Sequence, residues 1–159
     1  MPISPYLKNL RGKVGNQILQ IPSAAAIIRD ESGKILLVKS ANSDVWGLPA
    51  GAIDLGETPA EAVIREVFEE TSLQVLPVKI VGVFGGEKVR YIYANGDSVE
   101  YFIVVFECEI TNGKLLNQDG EVSEFKYFAV EEMPQLAIPY PNYIFLHEDD
   151  KTYFEQSEN

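Results

Sequence analysis

One stretch of the chain, Gly51 to Leu73, constrains the rest. Its centre predicts a helix from Thr58 to about Thr71. Thr58 and Glu61 have capping-box spacing: the Thr side chain accepts from the backbone N–H at the third helical position, and the Glu reaches back. Pro59 falls at the first helical position, where its missing N–H costs nothing. At ~100° per residue, Ala60, Val63, Ile64, Val67 and Phe68 gather on one face, the expected core stripe. Glu66, Glu69 and Glu70 gather on another. Glu61, Arg65 and Glu69 run along a third ridge at intervals of four, where Arg65 is expected to be held between two carboxylates.

Three carboxylates on one helical face repel, by roughly 0.2–0.5 kcal/mol for each like pair. Two readings compete. One is a solvated acidic face, common in a chain with 24 Asp and Glu against 13 Lys and Arg. The other is a site for hard divalent cations, which take oxygen ligands. Two features favour the site. Glu57 stands just ahead of the helix and adds a fourth carboxylate. Gly51 and Gly56 bracket a short loop, Ala52 to Leu55, able to bring backbone carbonyls close to the same ions.

The remaining composition bounds the function. A chain of 159 residues fits one domain, here residues 1–159 with residues 1–20 as an N-terminal arm. Its net charge of -11 repels a nucleic-acid backbone, so a polymer-binding module is set aside. A small phosphorylated substrate stays open, because divalent cations reverse the local sign. The one cysteine, Cys108, lies in the apolar run Val104 to Cys108 and reads as a small core residue. The one histidine, His147, has no second His or Cys to help it, which excludes a zinc site of the usual kind. No signal peptide is apparent. The longest apolar runs, Ala24–Ile28 and Phe102–Phe106, are too short to span a membrane. The expectation is a soluble, cytoplasmic protein.

Along the chain, Ser4–Asn16 reads as a short helix or arm. Ala24–Ile28 and Lys34–Val38 read as strands around the turn signal Asp30–Gly33, a predicted hairpin. Trp46–Pro49 is a short strand or its entry, and Val75–Phe84 a strand. Val89–Tyr93 and Val99–Ile110 form a hairpin around Asn95-Gly96. Phe125–Val130 is another strand, and Tyr140–Glu155 is read as helical. Many strands and one strong helix suggest a mixed α/β or α+β domain.

The run Gly51-x5-Glu57-x7-Arg65-Glu66-Val67-x-Glu69-Glu70-x-Ser72-Leu73 resembles the Nudix box, GX5EX7REUXEEXGU, with U a bulky aliphatic residue. Every fixed position matches except the last Gly, which is Ser72. That position lies just past the helix, where a left-handed residue is often needed, at a cost to Ser of roughly 1 kcal/mol. The surroundings also resemble the family: a hairpin before the box, Trp46-Gly47-Leu48-Pro49 leading into it, and Tyr127-Phe128-x5-Pro134 near the end. Ala50 stands where many relatives have Gly.

The resemblance implies an α/β/α sandwich with a mixed central β-sheet and a catalytic loop-helix-loop. It implies hydrolysis of a phosphoanhydride in a nucleoside diphosphate linked to another moiety, with Mg²⁺ or Mn²⁺. Glu66 and Glu70 are the implied principal metal ligands, with Glu69 close behind. Glu57 supports a ligand water or a second metal, and the Gly51 or Ala52 carbonyl adds a ligand. Arg65 orients these carboxylates. For the proton acceptor, the box glutamates compete with Glu121 and Glu124 of the acidic stretch Asp119–Glu124. Trp46, Tyr91 and Tyr93 are candidates for stacking on a base, with Tyr140–Tyr143 as a further part of the pocket. The proline that marks many ADP-ribose hydrolases is absent from Gly85-Gly86-Glu87-Lys88. A homodimer is compatible with the family. The alternative function is a non-catalytic nucleotide-binding module, but such modules usually lose box glutamates that this chain keeps. A Nudix-fold isomerase would want a catalytic cysteine.

Overall fold

The structure, a computed structural model, describes residues 3–117, 120–146 and 148–156. Helix α1 (Pro5–Val14) starts at Ser4, whose Oγ accepts from Leu7 N, and leads into strand β1 (Leu19–Ile28). Strands β2 (Ile35–Ser40), β3 (Trp46–Gly47) and β4 (Ala50–Ala52) precede helix α2 (Pro59–Thr71). Strands β5 (Gln74–Phe84), β6 (Arg90–Ile92), β7 (Ser98–Asn112) and β8 (Val122–Phe128) follow. The described chain closes with a short helix α3 (Tyr143–Leu146) and strand β9 (Tyr153–Phe154).

The strands form two sheets. The larger has the order β4-β1-β7-β5-β9, with β6 also on β7; the smaller is β3-β2-β8. The larger sheet is mixed: β1 runs parallel to β7 in the register Ala25↔Val105, and antiparallel to β4 in the register Ala24↔Gly51. Alternation along the strands divides the core. Ala24, Ala26, Ile28, Val104, Phe106 and Cys108 pack with α2 on one face. Ala25, Ile27, Ile103 and Val105 pack on the other with Ile144 and Phe145 of α3. The mixed sheet between helices is the expected α/β/α architecture. Cys108 is buried, as its apolar run predicts. Among the described residues no helix is long and apolar enough to cross a membrane.

Three local expectations need correction. The predicted hairpin of β1 and β2 does not form as a ladder. One bridge, Arg29↔Ile35, closes the turn, and then the strands diverge into different sheets. Both strands are apolar on successive residues, so each is buried on two faces and recruits separate neighbours. The helix predicted over Tyr140–Glu155 shrinks to the single turn of α3, followed by β9 along the edge of β5. The core stripe of α2 is rotated. Ala62, Val63, Glu66, Val67 and Thr71 are buried, whereas Ile64 is 38% and Phe68 41% exposed. The apolar arc defined by side-chain type points partly outward because the helix turns its carboxylate flank toward β4.

The β6–β7 hairpin forms as predicted. Gly96 supplies the left-handed residue at φ 89°, Tyr93 N donates to Asp97 O at 2.9 Å, and Gly96 N donates to Tyr93 O at 2.9 Å. This is a three-residue loop closed by a glycine bulge.

Candidate active site

The site is built where α2 meets the end of β4. The capping box predicted from sequence is present: Glu61 N donates to Thr58 Oγ1 at 3.2 Å, and Thr58 N donates to Glu61 Oε2 at 2.8 Å. At the other end Ser72 takes the left-handed conformation, φ 63° and ψ 11°, and its N–H closes on Phe68 O. It is the one non-glycine residue with positive φ among those described. Both ends of the helix are therefore fixed, and so is the rotation of its carboxylates.

Glu66 is only 1% exposed. Its carboxylate fills the space over Gly51: a Cβ built on Gly51 would lie 2.0 Å from Glu66 Cδ. Burial pushes the Glu66 carboxyl up to about 7; Arg65 opposes the shift and Glu69 adds to it. Glu70 accepts from Ala50 N at 3.1 Å. Burial, and then the neighbouring Glu66, raise its carboxyl well above the usual range, with Glu121 contributing in the same sense.

Arg65 ties the cluster together. Its Nε and Nη2 donate to the two oxygens of Glu57 at 2.6 and 2.9 Å, a bidentate fork. Nη1 donates to Glu66 Oε1 at 2.8 Å and Glu69 Oε2 at 3.3 Å, and Nη2 also reaches Ala52 O at 3.0 Å. Asp54 lies 3.8 Å away. The hydrogen-bonded Arg65 holds the Glu57 carboxyl below the usual range. The ridge expectation is thus half met. Glu69 pairs with Arg65, but the Glu61 carboxylate is engaged at the helix cap, and its place is taken by Glu57 from the preceding loop.

Gly51, Glu57, Arg65, Glu66, Glu69 and Glu70 come together, with Glu121 near enough for its charge to act on Glu70. The Glu121 carbonyl accepts from Ala41 N at 2.8 Å, which anchors that loop. Glu124 is exposed on β8, opposite Lys39. Trp46 is half-buried, edge-on to Phe128 at 5.2 Å, with Lys39 Nζ 5.8 Å from its ring centroid. Tyr91 and Tyr93 meet edge-on at 4.9 Å. Tyr93 is 43% exposed, and its hydroxyl meets that of Tyr101. Tyr140 packs edge-on against Phe84 in the core, and the Tyr143 hydroxyl donates to Asp149. His147 and Asp119 lie outside the described residues. Sequence reasoning missed two backbone groups, the Ala50 N–H on Glu70 and the Asp54 N–H on Glu57, while the Ala52 carbonyl, expected as an alternative to Gly51 as a metal ligand, accepts from Arg65. Backbone partners leave no residue-type signal.

The donor chemistry fits a hard dication. The buried Glu66 and the half-buried Glu70, both with raised affinity for protons, carry an unfavourable charge that a divalent ion would relieve. Among the described residues, no three acidic, His or Cys side chains stand ready as a ligand set, since Arg65 engages Glu57, Glu66 and Glu69 itself.

Comparison with known proteins places this geometry. The family model of the NUDIX domain matches residues 19–148. An ADP-ribose pyrophosphatase of Methanocaldococcus jannaschii is 31% identical over 121 residues, 74% of this chain and 67% of that protein. A MutT-like protein of Streptomyces ambofaciens is 39% identical over 91 residues, 57% of this chain and 53% of its own length. Among solved structures, the MutT protein of Methanosarcina mazei Go1 aligns with a TM-score of 0.63 at 27% identity, covering 81% of this chain and 92% of that one. An ADP-ribose pyrophosphatase of Streptococcus suis aligns with a TM-score of 0.68 at 23% identity, covering 85% and 98%, which speaks to the fold. The box residues gathered on α2 and the family match over most of the chain agree: the chain belongs to the Nudix family and is a Nudix pyrophosphohydrolase.

Proposed function

We propose that the chain hydrolyses, with Mg²⁺ or Mn²⁺, a phosphoanhydride bond in a nucleoside diphosphate linked to another moiety. A nucleoside triphosphate, a nucleotide sugar or a dinucleoside polyphosphate would qualify. The observation that carries this reading is the Glu66 carboxylate, buried to 1% exposure against Gly51 beside Glu70. A fold gains no stability by burying one carboxylate beside another; an ion site needs them. A relative named for ADP-ribose pyrophosphatase activity supports a small nucleotide substrate.

In this reading Glu66, Glu70 and Glu69 hold the ion, with Glu57 and the Gly51 carbonyl in support. When bound there, the ion would supply charge to neutralise phosphate oxygens and to acidify water. Arg65 keeps the carboxylates aimed through its fork on Glu57 and its contacts with Glu66 and Glu69. Glu121, whose charge already acts on Glu70, is the favoured proton acceptor over the exposed Glu124. Trp46, Tyr91 and Tyr93 supply aromatic surface for the base.

The test is product release from a panel of nucleoside triphosphates, oxidised dGTP, ADP-ribose, other nucleotide sugars and dinucleoside polyphosphates, with and without Mg²⁺ or Mn²⁺. Cleavage of one class only when the ion is added supports the reading. A folded protein that cleaves nothing with either ion overturns it in favour of a nucleotide-binding module.

A further inference from the structure

Helix α1 lies ahead of the matched family domain, which begins at residue 19. It has no buried residue of its own, yet it is firmly attached. The attachment is Arg11, whose side chain is only 16% exposed. Nη1 donates to Gly15 O at 3.0 Å and to Gln17 O at 2.6 Å, capping the end of α1 and its linker. Nη2 donates to Ser98 O at 3.1 Å, and Nε lies 3.6 Å from Asp97 Oδ1. One guanidinium thus joins α1 to the far side of the β6–β7 turn. The helix adds Leu7 to a cluster with Ile21, Ala52, Val99, Tyr91 and Tyr101. At the turn itself the approach is close: a Cβ on Gly96 would lie 3.1 Å from Asn16 Nδ2.

The position of this clasp matters. Asp97 and Ser98 close the turn that carries Tyr93. Ala52, in the same cluster, gives its carbonyl to Arg65 of the carboxylate site. The clasp therefore borders the turn that carries an exposed aromatic ring, and its helix shares a cluster with a residue that touches Arg65.

We propose that Arg11 is a positioning residue for substrate: by clamping α1 onto the β6–β7 turn it holds the Tyr93 ring for stacking on the base of a nucleoside diphosphate. The proposal rests on the hydrolase reading for its kinetic consequence, but not for its binding consequence. Arg, rather than Lys, is required, because three backbone carbonyls are met by one planar fork. Tyr93 brings a π-face, which accepts any base, so α1 sets affinity for the nucleoside end and leaves the phosphoanhydride chemistry to α2.

The experiment uses the full chain, as wild type, Arg11→Ala, Arg11→Lys, Tyr93→Ala and the Arg11→Ala/Tyr93→Ala double variant. ADP is titrated calorimetrically without added metal, and hydrolysis of ADP-ribose and of dGTP is followed with Mg²⁺. Arg11→Ala and Tyr93→Ala each weaken ADP binding roughly 10-fold, the scale of one lost base stack. The double variant is no weaker than either single one, because both act through one ring. In Arg11→Ala the KM rises by the same factor while kcat stays within about twofold. Arg11→Lys does not rescue, and it serves in place of Arg11→Ala if that variant fails to fold. The proposal is overturned if Arg11 variants lose only thermal stability and keep wild-type affinity, if the two effects simply add, or if wild type does not bind ADP. A wild type that binds ADP with this pattern but hydrolyses nothing would sink the hydrolase reading alone.

Discussion

The Glu66 carboxylate occupies the place that a side chain on Gly51 would need: a Cβ there would stand 2.0, 2.2 and 2.4 Å from Glu66 Cδ, Oε1 and Oε2. The glycine is required for its missing Cβ. Gly51→Ala should displace Glu66 and destabilise the fold by about 1–3 kcal/mol, the range for overpacking a closed site. Turnover should fall about 100-fold or more, as the misplacement of a catalytic group by an ångström can cost that much. Steady-state kinetics with denaturant unfolding separate the two effects.

Metal-free stability should fall with rising pH. An unfolded glutamate has a pKa near 4.5, and burial pushes Glu66 up to about 7. Between these values the native state keeps a proton that the unfolded chain has released, so unfolding is favoured as pH rises. The loss reaches at most about 3 kcal/mol by pH 7, at about 1.4 kcal/mol per pH unit. Glu70 acts in the same direction. Urea unfolding across this window should show the decline in wild type and a flatter profile in Glu66→Gln. Adding Mg²⁺ at pH 7 should restore stability, since an ion that binds only the folded state adds to it.

Arg65→Lys keeps a charge and loses the fork on Glu57 together with the contact to Ala52 O. Positioning partners of metal ligands typically contribute 10–100-fold. The rate should fall by about that factor, with circular dichroism unchanged. A rate equal to wild type would mean that Arg65 does not align the carboxylates.

At the end of α2, Ser72 Oγ donates to Leu116 O at 3.1 Å while its backbone bears φ 63°. Ser72→Ala removes the bond and keeps the strain, and should cost about 1 kcal/mol. Ser72→Gly removes both, and the two effects should cancel to within about 0.5 kcal/mol. Thermal unfolding of the pair checks the opposition of signs.

The parts of this site that were legible in the sequence are those written in residue type at fixed spacing. Thr58, Pro59 and Glu61 announce the start of α2, and Ser72 adopts the conformation that the missing glycine foretold. The acidic cluster could be read because Glu66, Glu69 and Glu70 recur at helical intervals. The inward rotation of that cluster was hidden. Periodicity places Ile64 and Phe68 on the buried face with Val63 and Val67, and the packing of Glu66 against Gly51 rotates those two outward. The divergence of β1 from β2 was hidden for a similar reason: a turn signal at Asp30–Gly33 specifies a reversal, not which partners the strands take afterwards. The Arg11 clasp spans 87 positions to Ser98 and ends on carbonyls, so no local pattern marks it.

The most direct measurement is the single-turnover rate of the best panel substrate at saturating Mg²⁺, for wild type against Glu70→Gln. Its Ala50 anchor lets the amide replace the carboxylate with little change in shape, since the amide oxygen can accept the same N–H. If the α2 carboxylates hold the catalytic ion, the rate falls by about 10³-fold or more, the scale of several kcal/mol of lost charge stabilisation, while the variant remains folded. A folded Glu70→Gln within about threefold of the wild-type rate would contradict the assignment of catalysis to this helix face.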